Sequence, residues 1–292
     1  MKKIDIHAHT TMLENGFSSL TRRRIMPHEL KMEYEKLGIE KGFILPLLSP
    51  EGLYSVQSNE EAEYIANNNS DFLYWCCNVD PRMMRNAPDA DLSGLLNSFK
   101  ERGAVAVGEV TANMYIDDPY LENLFYHCSL CGLPAIIHMA PRHGGDYGII
   151  DDLGMPRLEK LLKKYPKLTI VGHSQCFWSE IGNEIDDTTR SGYPKGKVNE
   201  GRLAKILREC PNLCCDLSAG SGFNALSRDP DYAYRFIEEF SDILMFGSDF
   251  VVPNQVNYLS EWLDTSFEKG YISEENYKKI CRENAIRIFN LK

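Results

Sequence analysis

Seven histidines stand in the chain, at positions 7, 9, 28, 127, 138, 143 and 173. His9, His138 and His173 each close a short apolar run, and His7 precedes His9 by two. In an extended strand, residues i and i+2 point the same way. Asp5, His7 and His9 are therefore expected on one face, with Ile4, Ile6 and Ala8 on the other. With the apolar set against helices, both imidazoles reach one rim as a two-toothed arm for a metal. Glu109 and Asp249 close two more apolar runs, in Gly108-Glu109-Val110 and Gly247-Ser248-Asp249. Imidazole nitrogen with carboxylate oxygen is a fit donor set for zinc, manganese or iron(II). A lone His-x-His is a weak signal. Six such residues, His7, His9, Glu109, His138, His173 and Asp249, at strand ends make a strong one.

What must position them is a set of eight apolar runs: Lys3–His9, Phe43–Leu48, Phe72–Val79, Ala104–Glu109, Pro134–Met139, Leu168–His173, Leu213–Leu217 and Ile243–Asp249. They are rich in Val, Ile and Leu and do not alternate cleanly, as expected of strands buried on both faces in a parallel sheet. Between them lie segments of helical character, among them Asn59–Asn67, Leu92–Arg102, Asp118–Cys131, Pro156–Tyr165, Gly201–Glu209 and Asp231–Phe240. Ser58 with Glu61, and Asp118 followed by Pro119, are helix-start signals; Gly103, Gly132 and Pro166 are stops. The strand ends recur about every 34 residues, which describes a single (β/α)₈ TIM barrel over residues 1–292, with the last helices packed round the outside. An open doubly wound sheet is the alternative. Two long polar loops, Ala140–Met155 after strand five and Ser174–Asn199 after strand six, are expected on the active-site face.

Composition narrows the partners. The 292 residues carry 32 Lys and Arg against 42 Asp and Glu, a formal charge of −10. An acidic chain of ordinary globular makeup is a poor match for nucleic acid or an anionic membrane surface, both of which need clustered cations. The run Arg22-Arg23-Arg24 is too short to change that; it is a local anion contact or a solvated edge. The amino-terminal residues have no apolar signal segment, and no stretch approaches a membrane span. Nine cysteines without an export signal fit reduced thiols in the cytoplasm. Cys128 and Cys131 form a CxxC without a second pair, and their helical spacing suggests buried small side chains, not a zinc site; Cys76-Cys77 and Cys214-Cys215 sit in strand-like runs.

On these residues the chain resembles the amidohydrolase superfamily of metal-dependent barrel hydrolases. That family's pattern is His-x-His after strand one, Lys or Glu after strand four, His after strands five and six, and Asp after strand eight. Here it is matched by His7-Ala8-His9, Glu109, His138, His173 and Asp249. Ile4-Asp5, Gly132-Leu133-Pro134, Val171-Gly172-His173-Ser174, Phe246-Gly247-Ser248-Asp249 and Asn284-Ala285-Ile286-Arg287-Ile288-Phe289 resemble the amidohydrolase-2 (aminocarboxymuconate-semialdehyde-decarboxylase-like) branch. The resemblance implies a divalent metal, zinc first with manganese or iron as alternatives, in one or two ions per chain. A bridging Glu109 implies two. The branch's decarboxylases imply one, held by the His pair, His138 and Asp249, with His173 free as acid or base.

The implied chemistry is hydrolysis of an ester, lactone or amide bond in a small carboxylated molecule, since a divalent ion lowers the pKa of a bound water towards about 7. Asp249 would accept that water's proton, and His173 would bind a second ion or polarise the substrate carbonyl. Non-oxidative decarboxylation is the alternative, and a non-catalytic metal-binding protein a remoter one. Asp5 is expected to orient a ligand imidazole. Arg142 and His143 are expected as substrate contacts, Arg142 being suited to a carboxylate. Trp178 is expected to wall the pocket or to anchor its loop. A homo-oligomer, a dimer by default, is expected.

Overall fold

The computed structural model describes residues 1–14, 16–19, 21–51 and 56–291. Its barrel strands are β1 (Lys3–Ala8), β2 (Ile39–Ile44), β3 (Leu73–Cys77), β4 (Ala104–Val110), β5 (Ala135–Ala140), β6 (Ile170–His173), β7 (Leu213–Asp216) and β8 (Leu244–Met245). Each pairs in parallel with the next. The ring closes without a regular ladder. Ile6 N donates to Phe246 O (3.1 Å), Asp249 N to His7 O (2.8 Å) and His9 N to Phe250 O (2.7 Å). The fold is a TIM barrel, and the open doubly wound sheet is excluded. Among the described residues no helix is long and apolar enough to cross a membrane.

Two strands differ from expectation. β2 runs four residues earlier than the apolar run Phe43–Leu48. Its polar residues Glu40 and Lys41 find partners outside the barrel: Arg282 pairs with Glu40 at 2.5 Å and Lys41 Nζ donates to Ser70 O at 2.9 Å. Pro46, which has no N–H for a ladder, stops it. β8 is two residues long, and the chain from Phe246 to Asp249 leaves the ladder as irregular backbone.

Two cores follow from the strand faces. Ile4, Ile6, Phe43, Cys76, Ala106, Ile136, Val171, Cys214 and Met245 fill the barrel interior. The other faces join the helix side chains, among them Leu30, Leu96, Leu121 and Leu158, in the outer layer. The carboxyl-terminal segment does not all pack outside. Phe289 meets Phe43 at 4.8 Å between ring centroids and plugs the barrel floor.

The helices start where capping chemistry sits. Ser58 Oγ accepts from Glu61 N (3.1 Å) ahead of Asn59–Asn68. Asp118 and Pro119 open Pro119–Cys131, which ends at Gly132 with φ +62°. Cys128 and Cys131 are buried on that helix, and all nine cysteines are free and buried.

Candidate metal centre

Six strands bring residues to the site, by regular alternation or by breaking it. Ile136 and His138 share the interior face of β5, Val171 and His173 that of β6, and Cys214 and Asp216 that of β7. β1 does not alternate: Ile6 lies in the interior core, yet its neighbour His7 also turns inward, across a register irregularity between Asp5 and Ala8. Glu109 likewise lies within an irregularity, between Val107 and Val110. Asp249 sits in the turn after β8 with φ +54°, a left-handed conformation that Asp tolerates better than most side chains. Gly247 makes this crossing possible. A Cβ there would lie 2.6 Å from Asp216 Oδ1 and 2.7 Å from Ser218 Cβ.

The break in β1 corrects the expected faces. Ile4 and Ile6 point into the barrel, and Asp5 points away from the candidate ligand atoms. Asp5, wholly buried, accepts from His7 N (3.0 Å), Ser248 N (2.8 Å), Ser248 Oγ (2.5 Å) and Tyr34 Oη (2.8 Å). It therefore holds the backbone of β1 and the β8 turn, not an imidazole. Gly42 gives Tyr34 the room to reach it, since a Cβ at 42 would lie 2.0 Å from the Tyr34 hydroxyl. Burial pushes the Asp5 carboxyl up to about 6 against these hydrogen bonds.

Hydrogen bonds decide which imidazole nitrogens are free. His9 Nδ1 lies 2.8 Å from Leu45 O, and a carbonyl only accepts, so Nδ1 carries the proton and Nε2 presents a lone pair. His7 Nδ1 donates to Asp216 Oδ2 at 2.6 Å, which leaves its Nε2 free as well. The two Nε2 atoms face each other at 3.1 Å. Two lone pairs so placed repel unless a proton on His7 Nε2 or a metal ion lies between them.

Carboxylates complete that position. Glu109 Oε2 lies 3.6 Å from His7 Nε2 and 3.5 Å from His9 Nε2; Asp249 Oδ1 lies 3.7 and 3.4 Å from the same atoms. Four ligands arranged tetrahedrally at zinc-like bond lengths of 2.0–2.2 Å stand about 3.3–3.6 Å apart. His7, His9 and Asp249 offer ligand atoms within 4.8 Å of one another, with Glu109 beside the imidazole pair, a donor set that fits a divalent ion. Electrostatics agree: although burial opposes it, the Asp216 and Glu109 carboxylates hold His7 well above its usual pKa, so the site draws positive charge.

His138 and His173 stand beside this quartet. His138 Nδ1 donates to Glu109 Oε1 at 2.8 Å, so one carboxylate faces the quartet with one oxygen and His138 with the other. His173 Nδ1 meets Ser218 Oγ at 3.0 Å and Asp216 Oδ2 at 3.4 Å. Burial lowers His173 to about 4, which leaves it neutral at pH 7. Glu109, His138 and His173 offer ligand atoms within 4.8 Å of one another, a second candidate cation position.

The three expected pocket residues fare differently. Trp178 is core, not pocket wall: it is 2 % exposed, packs on Phe177 and Phe236, and its indole N–H donates to Asp216 O at 2.7 Å. The short helix Gln175–Trp178 begins directly after His173 and turns the ring under the rim, which makes it an anchor. Arg142 and His143 are exposed on the loop after β5, and Arg142 comes no nearer to a partner carboxylate than Asp146 at 3.8 Å. Neither is hydrogen-bonded to the cluster.

Two residues escaped the sequence reading. In the sequence Asp216 is one carboxylate inside the apolar run Leu213–Leu217; it orients His7 from strand seven. Tyr147 lies over His138 with ring centroids 4.6 Å apart and covers one side of the site. Nothing in a polar loop distinguishes such an aromatic before the loop is folded.

The family model "Amidohydrolase" matches residues 4–291. Among similar solved structures is an uncharacterised TIM-barrel protein from Bordetella bronchiseptica, at 19% identity and TM-score 0.66, covering 100% of this chain and 99% of that one. A protein described as a probable 2-pyrone-4,6-dicarboxylic acid hydrolase from Acinetobacter baumannii, with citric acid bound, is 16% identical with TM-score 0.60 over 99% and 100% of the two chains. A dihydroxybenzoic acid decarboxylase from Polaromonas, with bound manganese and 2-nitroresorcinol, is 17% identical with TM-score 0.58 over 99% and 97%. By sequence, none of the curated proteins matches the chain. These structural likenesses carry the barrel, and the family match runs from β1 to the last turn: the chain belongs to the amidohydrolase family.

Proposed function

We propose that the protein is a metal-dependent hydrolase acting on an ester, lactone or amide bond of a small carboxylated molecule. One observation carries this reading: the two oxygens of Glu109 are divided between the His7–His9 pair and His138. A carboxylate so placed suits a bridge between two cation positions, the arrangement that favours hydrolysis. His7, His9, Glu109 and Asp249 would hold one divalent ion; Glu109, His138 and His173 would hold the other. Zinc is the first expectation, and the manganese of the decarboxylase neighbour keeps manganese open. Such an ion, when bound, polarises a substrate oxygen and acidifies a water.

The chain's own groups do the rest. Asp249, with a side chain 23% exposed, is the ligand open to the mouth and the group placed to take a proton from the attacking water and pass it to the leaving atom. Asp216 keeps His7 in the tautomer that presents Nε2. Arg142 and His143, on the loop that carries Tyr147 over His138, offer positive and polar groups to a substrate carboxylate from that side.

Decarboxylation is the second reading, favoured by His173. It lies outside the tight quartet, is neutral, and has its Nδ1 engaged, so its Nε2 can serve as acid or base. Metal analysis with turnover separates the two. Near two ions per chain with hydrolysis of an ester, lactone or amide panel supports the first reading. One ion per chain with CO₂ release from aromatic or unsaturated carboxylates overturns it.

A further inference from the structure

A groove on the outer helix layer has no part in the metal centre. Tyr258, Glu261, Trp262, Thr265, Ser266 and Lys269 follow the pattern i, i+3, i+4, i+7, i+8, i+11 along the helix Tyr258–Glu268 and its end, so they share one face of it. That face floors a cleft of about 320 Å³, walled by Phe223 from the helix Ala219–Ser227, by Tyr234 from the helix Pro230–Phe240 and by Tyr271. At 1.5 Å of rise per residue the floor is about 16 Å long.

Aromatic rings line the groove at two stations. Phe223 and Tyr258 stand 5.7 Å apart between centroids. Further along, Trp262, Tyr234 and Tyr271 form a ladder: Tyr234 is stacked 5.7 Å from Trp262 and 5.0 Å from Tyr271, at interplanar angles of 16° and 26°. Tyr234 Oη meets Ser266 Oγ at 3.3 Å, which fixes the middle ring. Tyr258 and Tyr271 are 58% and 57% exposed, so large ring faces stand open to solvent. The indole N–H of Trp262 and the hydroxyls of Tyr258 and Tyr271 bond to no described residue. Glu261 and Lys269, about 12 Å apart along the helix, form no ion pair among the described residues.

These features match one kind of occupant. Open aromatic faces with N–H and O–H donors at their edges suit a chain in the polyproline II conformation, whose proline rings stack on aromatics and whose carbonyls have no internal partner. Such a chain rises about 3.1 Å per residue, so four residues span the distance from Glu261 to Lys269. The uncommitted charges at the two ends call for a basic residue at Glu261 and an acidic one at Lys269. We propose that this groove docks a proline-rich segment of a partner protein, extended and carrying one basic and one acidic residue four positions apart. None of the groove's lining residues belongs to the metal centre, so docking here does not depend on which reaction that centre performs.

Trp262 reports on its own occupancy. It is half-buried, whereas the other two tryptophans, Trp75 and Trp178, are buried, so acrylamide quenches chiefly Trp262. The blocked pentapeptide Lys-Pro-Pro-Pro-Asp is titrated into the full chain, followed by protection of this fluorescence and by calorimetry. Lys-Gly-Gly-Gly-Asp, Lys-Pro-Pro-Pro-Lys, Asp-Pro-Pro-Pro-Asp and the neutral glycan cellopentaose are the comparison probes. Lys-Pro-Pro-Pro-Asp is expected to protect Trp262 and to bind at least about five-fold more tightly than any of the others. Lys269→Glu, on an exposed side chain, is expected to reverse the order of Lys-Pro-Pro-Pro-Asp and Lys-Pro-Pro-Pro-Lys. Tyr258→Ala is expected to weaken Lys-Pro-Pro-Pro-Asp about five-fold or more with the circular dichroism unchanged. The proposal is overturned if no peptide binds, if the glycine or like-charged peptides bind equally well, if cellopentaose binds more tightly than every peptide, or if Lys269→Glu leaves the order as it was.

Discussion

The residues on β5, β6 and β7 and those on β1, β4 and β8 arrive at the same rim by opposite means. His138, His173 and Asp216 extend the inward face of regular strands. His7, Glu109 and Asp249 stand where pairing slips or the backbone turns left-handed. The irregular group, with His9, forms the tight quartet; the regular group surrounds it and carries hydrogen bonds. Period-two strands space inward side chains too evenly to bring donor atoms from neighbouring positions to one point, so crowding His7, His9 and Asp249 within 4.8 Å of one another requires leaving the pattern. Distorted backbone persists only where its surroundings over-determine it, and Asp5, with four hydrogen bonds, does that here.

The sharpest break in this contrast comes from the quartet itself. Asp249→Asn is expected to abolish turnover, a loss of at least about 10³-fold in kcat on the substrate panel; full activity would mean the site is elsewhere. Next comes the brace. Asp5→Ala strands the His7 and Ser248 amides and the Tyr34 hydroxyl in the core, and chemical denaturation is expected to show a loss of about 3–5 kcal/mol. If that loss is below 1 kcal/mol, the irregular backbone does not depend on Asp5.

The regular side yields smaller effects. Asp151, buried after β5, accepts from Leu158 N, Arg157 N and Asp152 N, and burial pushes it up to about 6. The folded state then keeps a proton that the unfolded chain releases near 3.8. The stability it adds is full below about pH 4 and is lost as pH rises through 6, a change of about 2–3 kcal/mol that Asp151→Asn flattens. Denaturation midpoints across pH 3.5 to 7 check the slope. Asp216→Asn, which spoils the His7 tautomer but leaves every ligand in place, is expected to weaken metal affinity about 10–100-fold in chelator competition. Smallest of all, Tyr147→Ala removes only a ring contact, about 1 kcal/mol of stability, and should leave metal affinity unchanged; a ten-fold drop would place Tyr147 among the groups that hold the centre.

Much of this was legible in the chain. Apolar runs at barrel spacing indicated all eight strands, β2 four residues late, and caps such as Ser58 and Asp118 located helix starts to within a residue or two, because burial on both faces and unsatisfied helix amides are local demands. Trp178 was ambiguous for a reason: an aromatic five residues past a strand end suits a wall or an anchor, and only the short helix after β6 chose. Alternation puts Asp5 inward and Ile4 and Ile6 outward, the reverse of the structure, because alternation holds only while pairing is regular.

The sequence by itself determined the barrel, the rim and the order of donor residues round it, since these depend on hydrophobic period and chain spacing. Tertiary structure decided which donor atoms stand close enough to share an ion and which stand behind them. Those choices rest on atoms brought together from strands more than two hundred residues apart, as when Asp216 fixes the proton on His7, and no local pattern records such a meeting.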